Sequence, residues 1–317
     1  MDRVSTVGTY QSALASIMMA EQKQATADQQ VSSGKVATDL GGFGDSSERL
    51  VATRTLQSRL QSYSDNSEIL SAKLGIQETS LTQMEGAAGD AVKAIQSAVA
   101  SGDASNLMSS LQNSLTSAAS AINLQYQGQY VFAGSQVSTA PLAITNINSL
   151  AVAGTPVALN TVFKNDQFPP KSRLDDNTVT TTGFVADAVA SPYIQVLQQV
   201  AAYNQGVNGP FGKPLTAAQT TFLQGVIQTA QAAQQTATSV TVQNGGLQNQ
   251  VTNVQKAISA QQTALTNIVS NITDVDVAQA ATNLQLAQAS LQAAAQVFSR
   301  LSGSALVNLL PSTSTTA

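Results

Sequence analysis

The stretch from Asp274 to Leu310 constrains this chain more than any other. Counted from Val277, alternating steps of three and four land on Val277, Ala280, Leu284, Ala287, Leu291, Ala294, Phe298 and Leu301, all apolar. That spacing predicts a helix with one continuous apolar seam. Ala recurs in the seam, so a partner backbone can approach closely. Between the seam positions stand Gln, Asn, Thr, Ser and more Ala, and Arg300 is the only charge from Val277 to Leu310. A solvated helix of this length is normally laced with Glu–Lys pairs. The pattern therefore predicts a helix that other protein covers on most of its surface.

The same poverty of charge runs through the whole chain. Only 10% of its residues are charged, against about 25% in ordinary soluble domains. The net charge of −4 offers no basic field, which argues against nucleic acid as a partner. Cys, His and Trp are absent, which removes disulfides, thiolate chemistry and the commonest general base and metal ligand. The expectation is no enzyme, no cofactor, no catalytic residue and no metal site. No run of residues has the length and apolarity of a membrane span, so no membrane insertion is expected. The first twenty residues, interrupted by Thr6, Thr9, Gln11 and Ser12, lack the apolar core of a secretory signal, so export would use a route without a cleaved peptide.

Taken in order, residues 4–33 predict a first helix, with Val7, Tyr10, Leu14 and Ile17 at heptad spacing. The same register continues through Glu21, Gln24 and Asp28 to Val31, so its seam thins. Gly34 and the run Asp39 to Asp45, with three Gly in four residues, break it. Ser46 or Ser47 then caps a very long second helix whose seam runs Leu56, Leu60, Tyr63, Ser67, Leu70, Leu74, Gln77 and on to Ala98. A third helix passes through Leu111, Leu115 and Ile122.

From Tyr126 the texture changes. The stretch Tyr130-Val131-Phe132-Ala133-Gly134-Ser135 reads as strand, and Thr, Val and Ile recur in short runs to about Val189. Seven of the eight prolines lie between Pro141 and Pro214, as turns and strand edges require. Helix resumes near Tyr193, is interrupted by Gly206 to Pro214, and opens again at Thr216. After Gly245-Gly246 a seam reappears at Val251, Val254, Ile258, Leu265, Ile268, Ile272 and Val275, with Gln261 its one polar position. The phase slips at Asp274-Val275-Asp276, which marks a boundary between two helices.

The expected fold is mainly α. Long helices from both chain ends pair as a coiled-coil bundle, with a small β-rich outer domain inserted in the middle. Three parts follow: 1–42 with 272–317 as a terminal coiled-coil domain, 43–130 with 190–271 as a long-helix bundle, and 131–189 as the insert. Asp274 and Asp276, two residues apart, read better as a helix-start cap than as a carboxylate pair. Asp39 to Asp45 lacks the spacing of a calcium loop and reads as a hinge. Tyr126, Tyr130 and Phe132 read as packing between the third helix and the insert rather than as a stacking site.

Four stretches resemble the flagellin superfamily and, within it, its hook–filament junction members. Gln29 to Lys35 resembles the end of the first helix of that family, and Asp45 to Arg49 the opening of the next. Gly128-Gln129-Tyr130-Val131-Phe132-Ala133-Gly134-Ser135, with Thr139 and Pro141, resembles the entry to the outer domain of the junction members. Asp274 to Ala280, through Leu306, Leu309 and Leu310, resembles the shared C-terminal helix. Two departures stand out: Gly41-Gly42-Phe43-Gly44 replaces a charged linker, and a Ser/Thr-rich tail follows Pro311.

The resemblance implies a secreted structural subunit of the bacterial flagellum, an adapter between hook and filament. It would form a homo-oligomer in a helical assembly through Leu14, Ile17, Val277, Leu284, Leu291, Phe298 and Leu301, with Tyr130, Phe132 and Gly134 at the outer-domain entry. It implies as partners other hook-associated proteins, flagellin and an export chaperone. A filament-forming flagellin is the nearest alternative. A surface-displayed module that binds a ligand on its β insert is a more distant one.

Overall fold

The long apolar seam of the second predicted helix is realised as one 55-residue helix. In the computed structural model, which describes residues 2–307, α1 spans Asp2–Ser33, α2 Ser47–Ser101 and α3 Leu107–Ile122. Three two-stranded antiparallel pairs follow: β1 (Gln125–Tyr126) with β2 (Gln129–Tyr130), β3 (Ala151–Val152) with β4 (Thr155–Pro156), and β5 (Lys171–Arg173) with β6 (Val179–Thr181). A one-turn helix, α4 (Leu159–Val162), lies among them. Then come α5 (Ala186–Gln205), α6 (Ala217–Thr273) and α7 (Val277–Val307). Two compact units result, one from 1–59 with 261–317 and one from 60–260.

All thirteen α2 positions that the spacing selects between Leu56 and Ala98 are buried or half-buried, the polar Ser67 and Gln77 included. α6 runs unbroken through Gly245 and Gly246. Its start is a reciprocal cap: Thr216 Oγ1 accepts from the Gln219 amide, and Gln219 Oε1 accepts from the Thr216 amide. Each bond satisfies an amide that the first turn leaves without a helical partner. At the start of α2 the Ser47 hydroxyl donates instead to the Gly44 carbonyl, 2.7 Å away.

In the 60–260 unit, α2, α3, α5 and α6 share one core with the segment between α3 and α5. Leu81, Ile95, Leu111, Leu197 and Leu223 meet Phe132, Leu142, Leu150 and Val162 in it. The residues 131–189 thus contribute side chains to the same core as the helices. Gln112 of α3 and Asn123, the residue that follows it, fasten that segment by its backbone. Asn123 exchanges two hydrogen bonds with Leu142, and Gln112 accepts from the Ile147 amide while donating to the Thr145 carbonyl. Inside the core the Ser114 hydroxyl donates to the Ala87 carbonyl at 2.7 Å and receives the Tyr193 hydroxyl, tying α2, α3 and α5. Burial raises the Tyr193 phenol well above its ordinary value.

The expected strand from Tyr130 to Ser135 is a correction. Only Gln129–Tyr130 pairs, across a two-residue loop at Gln127 and Gly128 with positive φ, and residues 131–135 form turns. Their apolar character serves the core: Phe132 is fully buried and its carbonyl accepts from the Ala186 amide. Gly134 has φ +69, and a Cβ there would stand 2.0 Å from Asp166 Oδ1. Asp166 itself accepts from Ser135 and from the Phe168 amide. Phe132→Ala is expected to destabilise the 60–260 unit by about 3–5 kcal/mol. Urea unfolding followed by circular dichroism measures it, and a loss under about 1 kcal/mol would separate this segment from the core.

Candidate assembly interface

The seam of α7 sorts itself residue by residue. Ala280 and Ala287 are buried, and Leu284, Leu291, Ala294, Phe298 and Leu301 are half-buried, while nearly every other α7 residue with a described side chain is exposed. The partner is α1, packed along α7 within the terminal unit. The two helices run antiparallel, with Tyr10 stacked at a tilt on Phe298, ring centroids 4.7 Å apart. Val277, the first residue of α7, is the exception and is 52% exposed.

On α1 the register differs from the expected one. Ala13, Ile17, Ala20, Gln24, Ala27 and Val31 face inward, with Ala20 and Ala27 buried. Leu14, expected on the seam, is 46% exposed. The pair α1–α7 is therefore held largely by Ala on both sides, which lets the backbones close up and leaves the larger apolar residues outside. Met18, Met19, Leu286 and Val297 are exposed with Leu14. Between the helices a groove of about 600 Å³ is lined by Met19, Lys23, Ala27, Asn283, Leu286 and Ala287 among others. Lys23 is the only charged residue on it. Val7 and Leu306 have no described side chain, and Leu309, Leu310 and the tail from Pro311 lie outside the described residues.

The end of α1 is tied to the break between α6 and α7. Gly34 ends α1 with φ +67, and the chain then pairs with residues 273–275. The Val36 amide donates to the Thr273 carbonyl at 2.8 Å and the Val275 amide to the Gly34 carbonyl at 3.1 Å. Lys35 Nζ reaches Asp274 Oδ1 at 2.5 Å, and the other Asp274 oxygen accepts from Ser270. The hydrogen bond from Lys35, then those from Ser270 and Thr273, pull the Asp274 carboxyl down to about 2. Of the two Asp expected to cap, only Asp276 does so: its Oδ1 accepts from the Ala278 and Gln279 amides. Asp274 is an ion-pair and hydrogen-bond anchor instead. Sequence spacing could not show this, because Lys35 lies 239 residues away.

In the expected hinge, Asp39 Oδ1 accepts from the Gly42 amide, and a Cβ on Gly42 would fall 2.3 Å from the Ala37 methyl. Gly42 therefore answers to close approach, and Gly44 to its positive φ of 51. Among the described residues no group of three or more acidic side chains could hold a metal ion, and no helix is long and apolar enough to cross a membrane. Of the outer-domain entry residues, Phe132 is core, Gly134 is a turn, and Tyr130 is half-buried beside a cavity of about 200 Å³.

Residues 227–310 match the family described as the bacterial flagellin C-terminal helical region. They comprise most of α6 and all of α7. A search of curated proteins returns no match. Among solved structures, a Vibrio parahaemolyticus protein described as a flagellar hook-associated protein superposes with a TM-score of 0.58 at 15% identity, over 72% of this chain and 97% of that one. The FlgL of Bacillus cereus superposes with a TM-score of 0.50 at 16% identity, over 69% of this chain and 97% of that one. At such identities the likeness is one of fold.

The depressed Asp274 value gives the 34–36/273–275 clasp a pH dependence of definite sign. A carboxyl at about 2 in the folded chain, against 3.8 ordinarily, stabilises fully above the ordinary value, and the contribution is lost as pH falls through about 2. Hydrogen-exchange protection of the Val36 and Val275 amides should therefore drop on going from about pH 5 to about pH 2. In Asp274→Asn it should be lower at the start and change little. Equal profiles for the two chains would show that the ion pair, exposed on both sides, does not hold the clasp.

Proposed function

We infer that this chain, which carries the flagellin C-terminal helical region in α6 and α7, is a structural subunit of the bacterial flagellum at the hook–filament junction. The observation that carries the reading is the distribution of apolar side chains on the terminal pair. Ala residues join α1 to α7 while Leu14, Met18, Met19, Leu286 and Val297 remain on the outside, and Arg300 is the one charge on α7. Apolar faces of this kind on a soluble chain mark protein–protein contact. The two hook-associated folds above favour the junction role over that of a filament subunit.

In this reading the subunit works outside the cell as a homo-oligomer in a helical lattice. The inward residues Ile17, Leu284, Leu291, Phe298 and Leu301 set the shape of the helix pair. Leu14, Val277 and the other outward apolar residues touch neighbouring copies, other hook-associated proteins and flagellin. An export chaperone covers the same faces before export, and export uses no cleaved signal. The role is mechanical and no catalysis belongs to it.

Leu286→Asp tests this directly. The residue is 61% exposed and off the α1–α7 seam, so the free chain should lose no more than about 0.5 kcal/mol of stability. Within a lattice the same change removes an apolar contact and buries a carboxylate. A strain whose only copy carries Leu286→Asp should export the protein yet show bare hooks by electron microscopy. Normal filaments in that strain would refute the lattice role of this face. Long filaments assembled from the purified native chain alone would instead assign it to the filament flagellins.

A further inference from the structure

Within the 60–260 unit two apolar clusters on the α2–α6 pair are parted by a polar level. The buried residues of the main core reach along the pair as far as Leu81 and Val240, with the half-buried Ile76 packed against their edge. A second, separate cluster holds Leu70, Leu74, Val251 and Leu174, the last from the β5–β6 hairpin. Between the two clusters lies a fully buried polar layer. Gln77 Nε2 donates to Asn244 Oδ1 at 3.3 Å, and Asn244 Nδ2 donates to the Leu74 carbonyl and to Glu78. Gln77 Oε1 is buried there with no hydrogen-bond partner, and so is Ser67 Oγ on the outer side. Each unsatisfied buried acceptor destabilises the folded arrangement.

Three helix-interior glycines stand at the same level, in addition to Gly86 and Gly89 on α2 and Gly225 on α6. Gly75 sits on α2 and Gly245-Gly246 on α6, and a Cβ on any of the three would meet nothing within 4 Å. None has a positive φ, so neither packing nor conformation demands glycine, although Gly weakens a helix interior relative to Ala. Cavities flank the layer as well. One of about 530 Å³ is lined by Phe184, Gln243, Gly246 and Leu247, and one of about 200 Å³ by Ile69, Lys73 and Tyr130. The Lys73 ammonium is half-buried without an ionic partner, and desolvation lowers its pKa.

We propose that the Gln77–Asn244 layer is a joint, across which residues 60–76 and 247–260, with the β5–β6 hairpin docked on them, open as a unit while the main core stays folded. Tyr63 and Gln250 bond the hairpin at Asp176 and Thr180, so it should open with the helix ends it rests on. The device does not depend on the flagellar reading. It would let the outer part of the helix pair bend or unfold without dissolving the body of the subunit.

Native-state hydrogen exchange on the full-length monomer, read by mass spectrometry, tests it. Peptides from 60–76, 171–181 and 247–260 should exchange together, at least about tenfold faster than peptides from 84–95 and 226–237. The step should fall between 77 and 81 on α2. The double variant Gln77→Leu, Asn244→Leu joins the two apolar clusters and should slow the outer class about tenfold or more while leaving the inner class unchanged. Should that variant misfold, Gly245→Ala with Gly246→Ala is expected to slow the same peptides. Uniform protection along the pair, gradual fraying from residue 60 without a step, or outer peptides indifferent to both folded variants would each overturn the joint.

Discussion

The α1–α7 pair is governed by the small size of the residues between its two helices. Among the described side chains of these two helices, Ala20 and Ala27 on one side, and Ala280 and Ala287 on the other, are the buried apolar residues. A methyl group removes little apolar area from water, and at about 25 cal/mol per Å² it contributes far less than a buried Leu. What it gives instead is proximity, because two Ala-faced helices can approach until their backbones limit them. The pair thus gains shape at the expense of burial. The larger apolar groups are displaced to the outer surface, where a single chain leaves them exposed. Stability and assembly are coupled by this arrangement, since the area that the pair does not bury within itself is available only to a neighbour.

The middle unit is built on the opposite principle. Large side chains such as Phe132, Tyr193, Leu111 and Ile95 are fully buried, and the segment after α3 is stitched in by its own backbone through Asn123 and Gln112. Short strands are enough, because they are not asked to form a sheet of their own. Each two- or three-residue pair simply returns the chain to the helical core. The polar layer at Gln77 and Asn244 is where this principle lapses, and the small outer cluster beyond it keeps only a few large side chains.

Much of the fold was legible from periodicity alone. The α2 seam from Leu56 to Ala98, the α7 seam from Ala280 to Leu301 and the break at Asp274–Asp276 all follow from steps of three and four. The register of α1 was not, for a definite reason. The register through Leu14, Glu21 and Asp28 and the one through Ala13, Ala20 and Ala27 share Ile17, Gln24 and Val31. Choosing between them by size selects Leu14, whereas the helix selects Ala because its partner must come close. On α6 the same ambiguity puts Val269 inward and leaves Ile268 40% exposed. The strand character of Tyr130 to Ser135 misled because β-branched and aromatic residues also suit buried turns. The clasp of Lys35 and Asp274 was invisible, because nothing local in either segment records a partner so distant in the chain.

These errors share one cause that bears on the site. Sequence periodicity detects the face a helix turns toward its nearest neighbour, because that face repeats at one angle. A second face, used against other molecules, need not be apolar at every turn, and the row Leu286, Ser290, Ala293 and Val297 keeps the helical spacing with a large apolar residue only at its two ends. Leu291, the natural choice from the sequence, lies on the intramolecular seam, so changing it would disturb folding and assembly together. Leu286 separates the two because it is apolar, exposed and off that seam. The residues that make a helix pair and the residues that let the pair join a lattice are thus distinct sets. Only three-dimensional structure, by showing which apolar groups the chain fails to cover by itself, tells one from the other.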